Sequence, residues 1–178
     1  MYTALKYSVI VNRLLLLAVV IMGSAPNSAR AQPGPPATII ARGGGKTIIQ
    51  GGTGTPGFVP VVTTIAFHAE QKGQVISGDF ECLALAPAVA IGNGSGQFTV
   101  NVMYVTGQIT GAQIHGDTAT LQGTATITGL GVGTNVPFTF VVRKGGPGSP
   151  AKLTTQGSPH LVFNEILLEG AFEISGGD

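Results

Sequence analysis

An all-β fold is what this sequence predicts: an antiparallel sandwich or a short barrel of about eight to ten strands. Three observations point there. Apolar and polar residues alternate with period two over most of the chain, the signature of half-buried strands. Glycine is heavy, at 28 residues, which weakens helix interiors and suits strands joined by tight turns. Only 10% of residues are charged, so hydroxyls, amides and backbone must meet the water instead.

The chain opens with a different kind of sequence. Lys6 and Arg13 precede the apolar run Leu14 to Met22, and small residues lead to Ala29-Arg30-Ala31. This order is that of a secretory signal with a small-x-small cleavage site. The run is shorter than the roughly 18 apolar residues a membrane helix needs. Residues 1–31 are therefore expected to be a cleaved signal peptide. The mature chain would begin at Gln32 in a secreted or periplasmic location, without a stable membrane span. Without Lys6, Arg13 and Arg30, six basic residues face eight acidic ones, a net charge of −2. Nucleic-acid binding, which needs clustered cations, is not expected.

Residues 32–37, Gln-Pro-Gly-Pro-Pro-Ala, read as an extended tether, and a single all-β domain is expected over 38–178. Thr38 to Ala41 and Thr47 to Gln50 read as two short strands divided by Gly43-Gly44-Gly45, with a glycine-proline loop from Gly51 to Pro60. In the next strand Val61, Ile65, Phe67 and Ala69 face inward, opposite Thr64, His68 and Glu70. From Gln74 to Leu85, Ile76, Phe80, Cys82 and Ala84 face inward, opposite Ser77, Asp79 and Glu81. Cys82 is the one cysteine, so an internal disulfide is impossible and a buried free thiol is expected. Asn93-Gly94-Ser95-Gly96 signals a hairpin turn. After it Phe98, Val100, Val102 and Tyr104 form one face.

Thr118, Thr120, Gln122, Thr124, Thr126 and Thr128 line one face of the next strand, and Ala119, Leu121, Gly123, Ala125 and Ile127 the other. A helix would scatter those threonines; a strand collects them. Val136 to Arg143 is a further strand with Phe138, Phe140 and Val142 inward, before a glycine-proline loop from Lys144 to Pro150. In the last segment Ile166, Leu168, Phe172 and Ile174 are expected inward, with Glu165, Glu169 and Glu173 outward. Those glutamates are also four apart, as on a helix face, but Gly170 favours a strand.

Several chemistries can be tested on the residues. Gly45-Lys46-Thr47 ends like a phosphate-binding loop, but Ile40 stands where that motif needs glycine. No Gly-x-Ser-x-Gly elbow occurs. His68-Ala-Glu70 and His115-Gly-Asp117 each place an imidazole and a carboxylate two apart on a strand face. They could hold a divalent ion only if their strands were neighbours, and no metal site or cofactor is assigned. Asp79 and Glu81 share a face at a spacing suited to paired-carboxylate attack on a glycan. Sugar sites usually add aromatic platforms, and the mature chain has no Trp and only Tyr104 among its tyrosines.

Several pieces, taken in order, resemble a loose group of small exported bacterial all-β proteins. They are Ala41 to Lys46, Ile65 to Ala69, Val75 to Glu81, Ala119 to Ala125, Pro137 to Val142 and the loop from Lys144 to Pro150. The late loop lacks the aspartates common in that group, so no ion-binding role carries over, and the resemblance implies no catalytic residues. The functional expectation is an exported, non-enzymatic domain with a structural or binding role. Its partner would be a glycan, a small hydrophobic ligand or another protein. The alternatives are a barrel carrying a small hydrophobic ligand and a glycan hydrolase using Asp79 and Glu81.

Overall fold

A computed structural model of the chain describes residues 38–53, 61–88 and 97–175. The expected signal peptide, the tether at 32–37 and the Asn93 to Gly96 turn lie outside the described residues. The fold is a closed barrel of eight strands in which each strand pairs antiparallel with the next and the last returns to the first. The strands are β1 (Thr38–Thr53), β2 (Val62–Lys72), β3 (Val75–Pro87), β4 (Phe98–His115), β5 (Thr118–Gly129), β6 (Gly133–Arg143), β7 (Pro150–Thr155) and β8 (Leu161–Ile174). Of the two expected architectures, the barrel is the one formed. Closure leaves no sheet edge to cover.

Alternation inside the barrel follows the sequence closely over β2, β3, β5 and β6. Ile65, Phe67 and Ala69 are buried on β2, and Phe80, Cys82 and Ala84 on β3. The threonine row of β5 faces outward while Ala119, Leu121, Ala125 and Ile127 are buried. Five phenyl rings pack as one chain through the centre. Phe138 stacks on Phe80 at 5.0 Å between ring centres, Phe80 meets Phe140 at 4.7 Å, Phe140 meets Phe67 at 5.4 Å, and Phe67 meets Phe172 at 5.7 Å. The Phe138 ring fits because Gly107 and Gly123 face it. A Cβ on Gly107 would stand 2.7 Å from Phe138 Cε1, closer than carbon atoms approach.

Five expectations are corrected. The triple glycine does not divide the first segment: Thr38–Thr53 is one strand, with Gly43, Gly44 and Gly45 paired on both sides. Tyr104 points outward and Met103 and Val105 inward, because Met103 pairs with Ala84 and Asn101 with Leu85. Val102 is thus left over as a bulge that reverses the faces. Gly116-Asp117 is the two-residue turn between β4 and β5, so His115 and Asp117 do not share a strand face. Pro150, expected to end the glycine-proline loop, instead opens the short strand β7, Pro150–Thr155. In β8 the pairings Lys46↔Glu169 and Thr47↔Leu167 leave Leu168 as a bulge. Leu168 is exposed there, whereas Leu161, Phe163, Glu165 and Leu167 are buried. Glu165 therefore lies inside the barrel, opposite to its expected side.

β7 has six residues and cannot cover the 14-residue β8 alone. The preceding loop completes the closure. Gly145 and Phe172 exchange both backbone hydrogen bonds, and Leu167 N donates to Ser149 O at 2.9 Å. Backbone groups that would otherwise be stranded at the seam are satisfied in this way.

Candidate functional site

Two places concentrate side-chain chemistry, one inside the barrel and one on its outer face. The inner one starts from a cross-strand pair. Thr47 on β1 and Thr63 on β2 are direct partners in the antiparallel ladder, and both side chains point inward. Directly opposed side chains of such a pair lie within reach of each other, so their hydroxyls meet. The bulge at Leu168 then turns Glu165 towards them from β8. Thr63 Oγ1 donates to Glu165 Oε2 at 2.5 Å, and Thr47 Oγ1 donates to the same oxygen. Glu165 is only 2% exposed, and Thr47 and Thr63 are as deeply buried.

Burial pushes the Glu165 carboxyl above the usual carboxylate range, against the opposite pull of the two threonine hydroxyls. A buried carboxyl without a cationic partner is stable only when it is hydrogen-bonded or keeps its proton. Cys82 stands close by on β3. Burial, and then the Glu165 carboxyl, push its thiol upward, so a nucleophilic thiolate is disfavoured.

These groups border a small cavity at one end of the barrel. Its walls include Val61, Val102, Met103 and Phe163, with Ile49 and Leu130 at the rim, and Glu165 and Cys82 face it as well. The free space is about 20 Å³, enough for one water-sized group. The phenyl chain fills the barrel beyond.

The outer face gathers the residues singled out in the sequence. His68, Asp79, Gln108 and Thr124 follow one another across β2, β3, β4 and β5 as ladder partners. Gln108 Nε2 donates to Asp79 Oδ1 at 2.7 Å, and the Tyr104 hydroxyl donates to Glu81 Oε1. That bond to Glu81 holds the Tyr104 phenol above its ordinary value. A shallow groove of about 620 Å³ lies over His68, Asp79, Glu81, Gln108 and Thr126. Asp79 and Glu81 are thus side by side, both open to solvent and each already accepting a hydrogen bond from a neutral neighbour.

The two histidine pairs are not brought together. His68 Nε2 lies 3.8 Å from Glu70 Oε2 on β2, and across the ladder it meets Asp79. His115 and Asp117 stand at the β4–β5 turn, separated from β2 by β3. Among the described residues no three His, Cys, Asp or Glu side chains converge as a metal site would require.

The sequence pattern does not bring Thr47, Thr63 and Glu165 together and sets Glu165 outward, although it holds one signal for the glutamate. Leu161, Phe163, Glu165 and Leu167 occupy alternate positions, which sets the glutamate in an apolar series. Comparison with protein-family models, with curated proteins and with solved structures found no match.

Proposed function

We propose that the chain is an exported, non-catalytic binding domain that takes a small, mostly apolar molecule at the Glu165 end of the barrel. One observation carries this reading. A glutamate, flanked by two buried hydroxyls, sits at the polar edge of an otherwise apolar cavity inside a closed barrel. Apolar walls with a few convergent polar groups are what small-molecule sites are made of. A purely structural barrel gains nothing from this arrangement, because an apolar side chain of similar size would avoid the desolvation cost. Met103 at the wall is unbranched and adaptable, and Ile49 and Leu130 at the rim are only partly buried. A ligand larger than one water is accommodated by shifting these side chains.

The leader through Ala29-Arg30-Ala31 supports export. The barrel is apolar inside, with His68, Asp79, Glu81 and the β5 threonines outside. A lipid-embedded barrel has an apolar outer band instead, so this distribution supports an aqueous setting.

The test is a small-fragment screen read by the methyl NMR signals of Ile49, Val61, Val102, Met103 and Leu130. Hits should move these signals and leave those of Ile109 and Val142 in place. Met103→Phe, which fills the cavity, should abolish the hits in a folded protein. A screen in which no fragment moves the cavity methyls would overturn the reading, as would hits that survive Met103→Phe.

A further inference from the structure

Cations are matched on one side of the barrel and left unmatched on another. On β1, Arg42 meets Glu173 at 2.7 Å and Lys46 meets Glu169 at 3.1 Å, each across the ladder to β8. Arg143, Lys144 and Lys152 stand on β6, on the loop after it and on β7, and have no ion-pair partner among the described residues. Val141 pairs with Lys152, so Arg143, two residues further along β6, is the diagonal neighbour of Lys152. Diagonal side chains on one face of a sheet lie about 7–8 Å apart. Two like charges at that separation repel, and an anion shared between them offsets the repulsion.

The space between them is a groove on the outer face. It holds about 280 Å³ and runs across β6, β7 and β8. Lys152 and Asn164 are ladder partners on one bank, with Val141 in the same row. Arg143, Pro150 and Ile166 form the other bank, where Pro150 and Ile166 are ladder partners. Val141 and Ile166 are half-buried and Pro150 is exposed, so an apolar surface lies between two exposed cations. Glu165 is the one acidic residue along the groove, and its carboxyl is turned inward to Thr63.

We propose that this groove binds a free amphiphilic oxyanion, a carboxylate or phosphate head with a short alkyl arm, independently of the cavity at Glu165. The head sits between Arg143 and Lys152. The guanidinium fork matches two of its oxygens, and the ammonium adds a point charge. The arm lies along Pro150 and Ile166 and covers apolar surface that now faces water. A neutral ligand would leave the two cations facing each other, and a cationic one would be repelled by both. A bilayer is another source of anionic heads. Its surface would meet the cations but leave the groove between them unfilled, so a free molecule fits better.

The experiment titrates the full chain with hexyl phosphate, inorganic phosphate and hexan-1-ol, followed by the methyl signals of Val141 and Ile166. At low ionic strength hexyl phosphate should bind about tenfold more tightly than either of the others, because only it uses both cations and groove. Arg143→Gln and Lys152→Gln change exposed positions and should leave the barrel folded. Each should weaken hexyl phosphate about two- to fivefold, the range for one exposed charge pair. Both together should lower it to the level of hexan-1-ol. Raising the salt from about 20 mM to about 200 mM should weaken it too. Equal binding of hexyl phosphate and hexan-1-ol would overturn the anionic head, and equal binding of the two phosphates would overturn the role of the groove. Shifts at Val61 and Met103 in place of Val141 and Ile166 would put the ligand in the inner cavity, overturning this site and leaving that one standing. Capture of the chain by phosphatidylglycerol vesicles, with no shift from hexyl phosphate, would show a membrane-facing patch instead. No shift from any probe would overturn the proposal without touching the Glu165 cavity.

Discussion

Around Phe80 the barrel is packed ring against ring, whereas around Glu165 it is packed by two hydroxyls, a carboxyl, a thiol and a thioether beside a space of about 20 Å³. Both regions are equally closed to solvent, with Phe80 and Glu165 each at 2% exposure. Burial is therefore not what separates them. The phenyl region gains apolar transfer energy and ring contacts, and any missing atom leaves a void. The Glu165 region gives up part of that gain to keep polar groups and free volume in the interior. A barrel under selection only for stability would fill both regions alike; the contrast is what points to binding at one end.

Truncation on the two sides should expose the difference first. Phe80→Ala removes a ring that touches Phe138 and Phe140, and should cost about 3–5 kcal/mol by chemical denaturation. Met103→Ala, at a wall that already borders free space, should fall near the lower limit for such deletions, about 2 kcal/mol. Equal losses at the two sites would mean that the barrel is uniformly packed, and the contrast would be gone.

Overpacking is the opposite probe of the phenyl region. A methyl added at Gly107 would meet the edge of the Phe138 ring at 2.7 Å, and that ring is held in place by Phe80. Gly107→Ala should therefore destabilise by about 1–3 kcal/mol, even though alanine restricts the unfolded chain more than glycine does. A neutral or stabilising result would show that the ring can yield, and that this region is looser than its ring contacts indicate.

How much of this was legible in the sequence differs between the same two regions. On β2, β3, β5 and β6 the charged and hydroxyl side chains concentrate on one parity, so the inward set containing Phe67, Phe80, Phe138 and Phe140 could be read directly. On β8 both parities carry apolar residues: Leu161, Phe163 and Leu167 on one, Val162, Ile166 and Leu168 on the other. The pattern cannot choose between them. The choice is made by the pairing with β1, where the bulge at Leu168 shifts the phase between Phe172 and Leu167. A bulge is fixed by the partner strand and by a special backbone position nearby, here Gly170 with φ of 109°. None of this is visible in one strand's sequence, and the candidate site depends on it. The same cause reversed Tyr104 and Met103 around the bulge at Val102.

The pH dependence of stability bears on the Glu165 region alone. Burial raises the folded-state pKa of Glu165 above its unfolded value. Below the ordinary carboxylate range both states hold the proton and this group's stabilising contribution is complete. As the pH rises through that range the unfolded chain releases its proton while the barrel keeps one, so stability falls until the folded group ionises too. Glu165→Gln cannot titrate and should remove this downward slope from the curve of unfolding free energy against pH. Thr63→Val takes one donor from Oε2 and should cost about 1–2 kcal/mol, near the value for a lost buried hydrogen bond. A wild-type curve with the same slope as that of Glu165→Gln over this interval would mean that burial does not raise the Glu165 carboxyl.

The smallest expected effect lies where the two regions meet. Cys82 follows Phe80 on the inward face of β3, yet its sulfur borders the cavity beside Glu165. In the phenyl region the loss of one heavy atom would open a new void. At Cys82 it extends an existing one, whose neighbours Met103 and Leu130 can move into it. Cys82→Ala should therefore cost about 1 kcal/mol or less, close to the transfer term alone. It should also strengthen the binding of apolar fragments at the cavity, because they gain room there. A cost of about 3 kcal/mol or more would place Cys82 in the tightly packed region and move the boundary of the cavity away from β3. An unchanged or weaker affinity for such fragments would say that they do not reach the Cys82 side of the cavity.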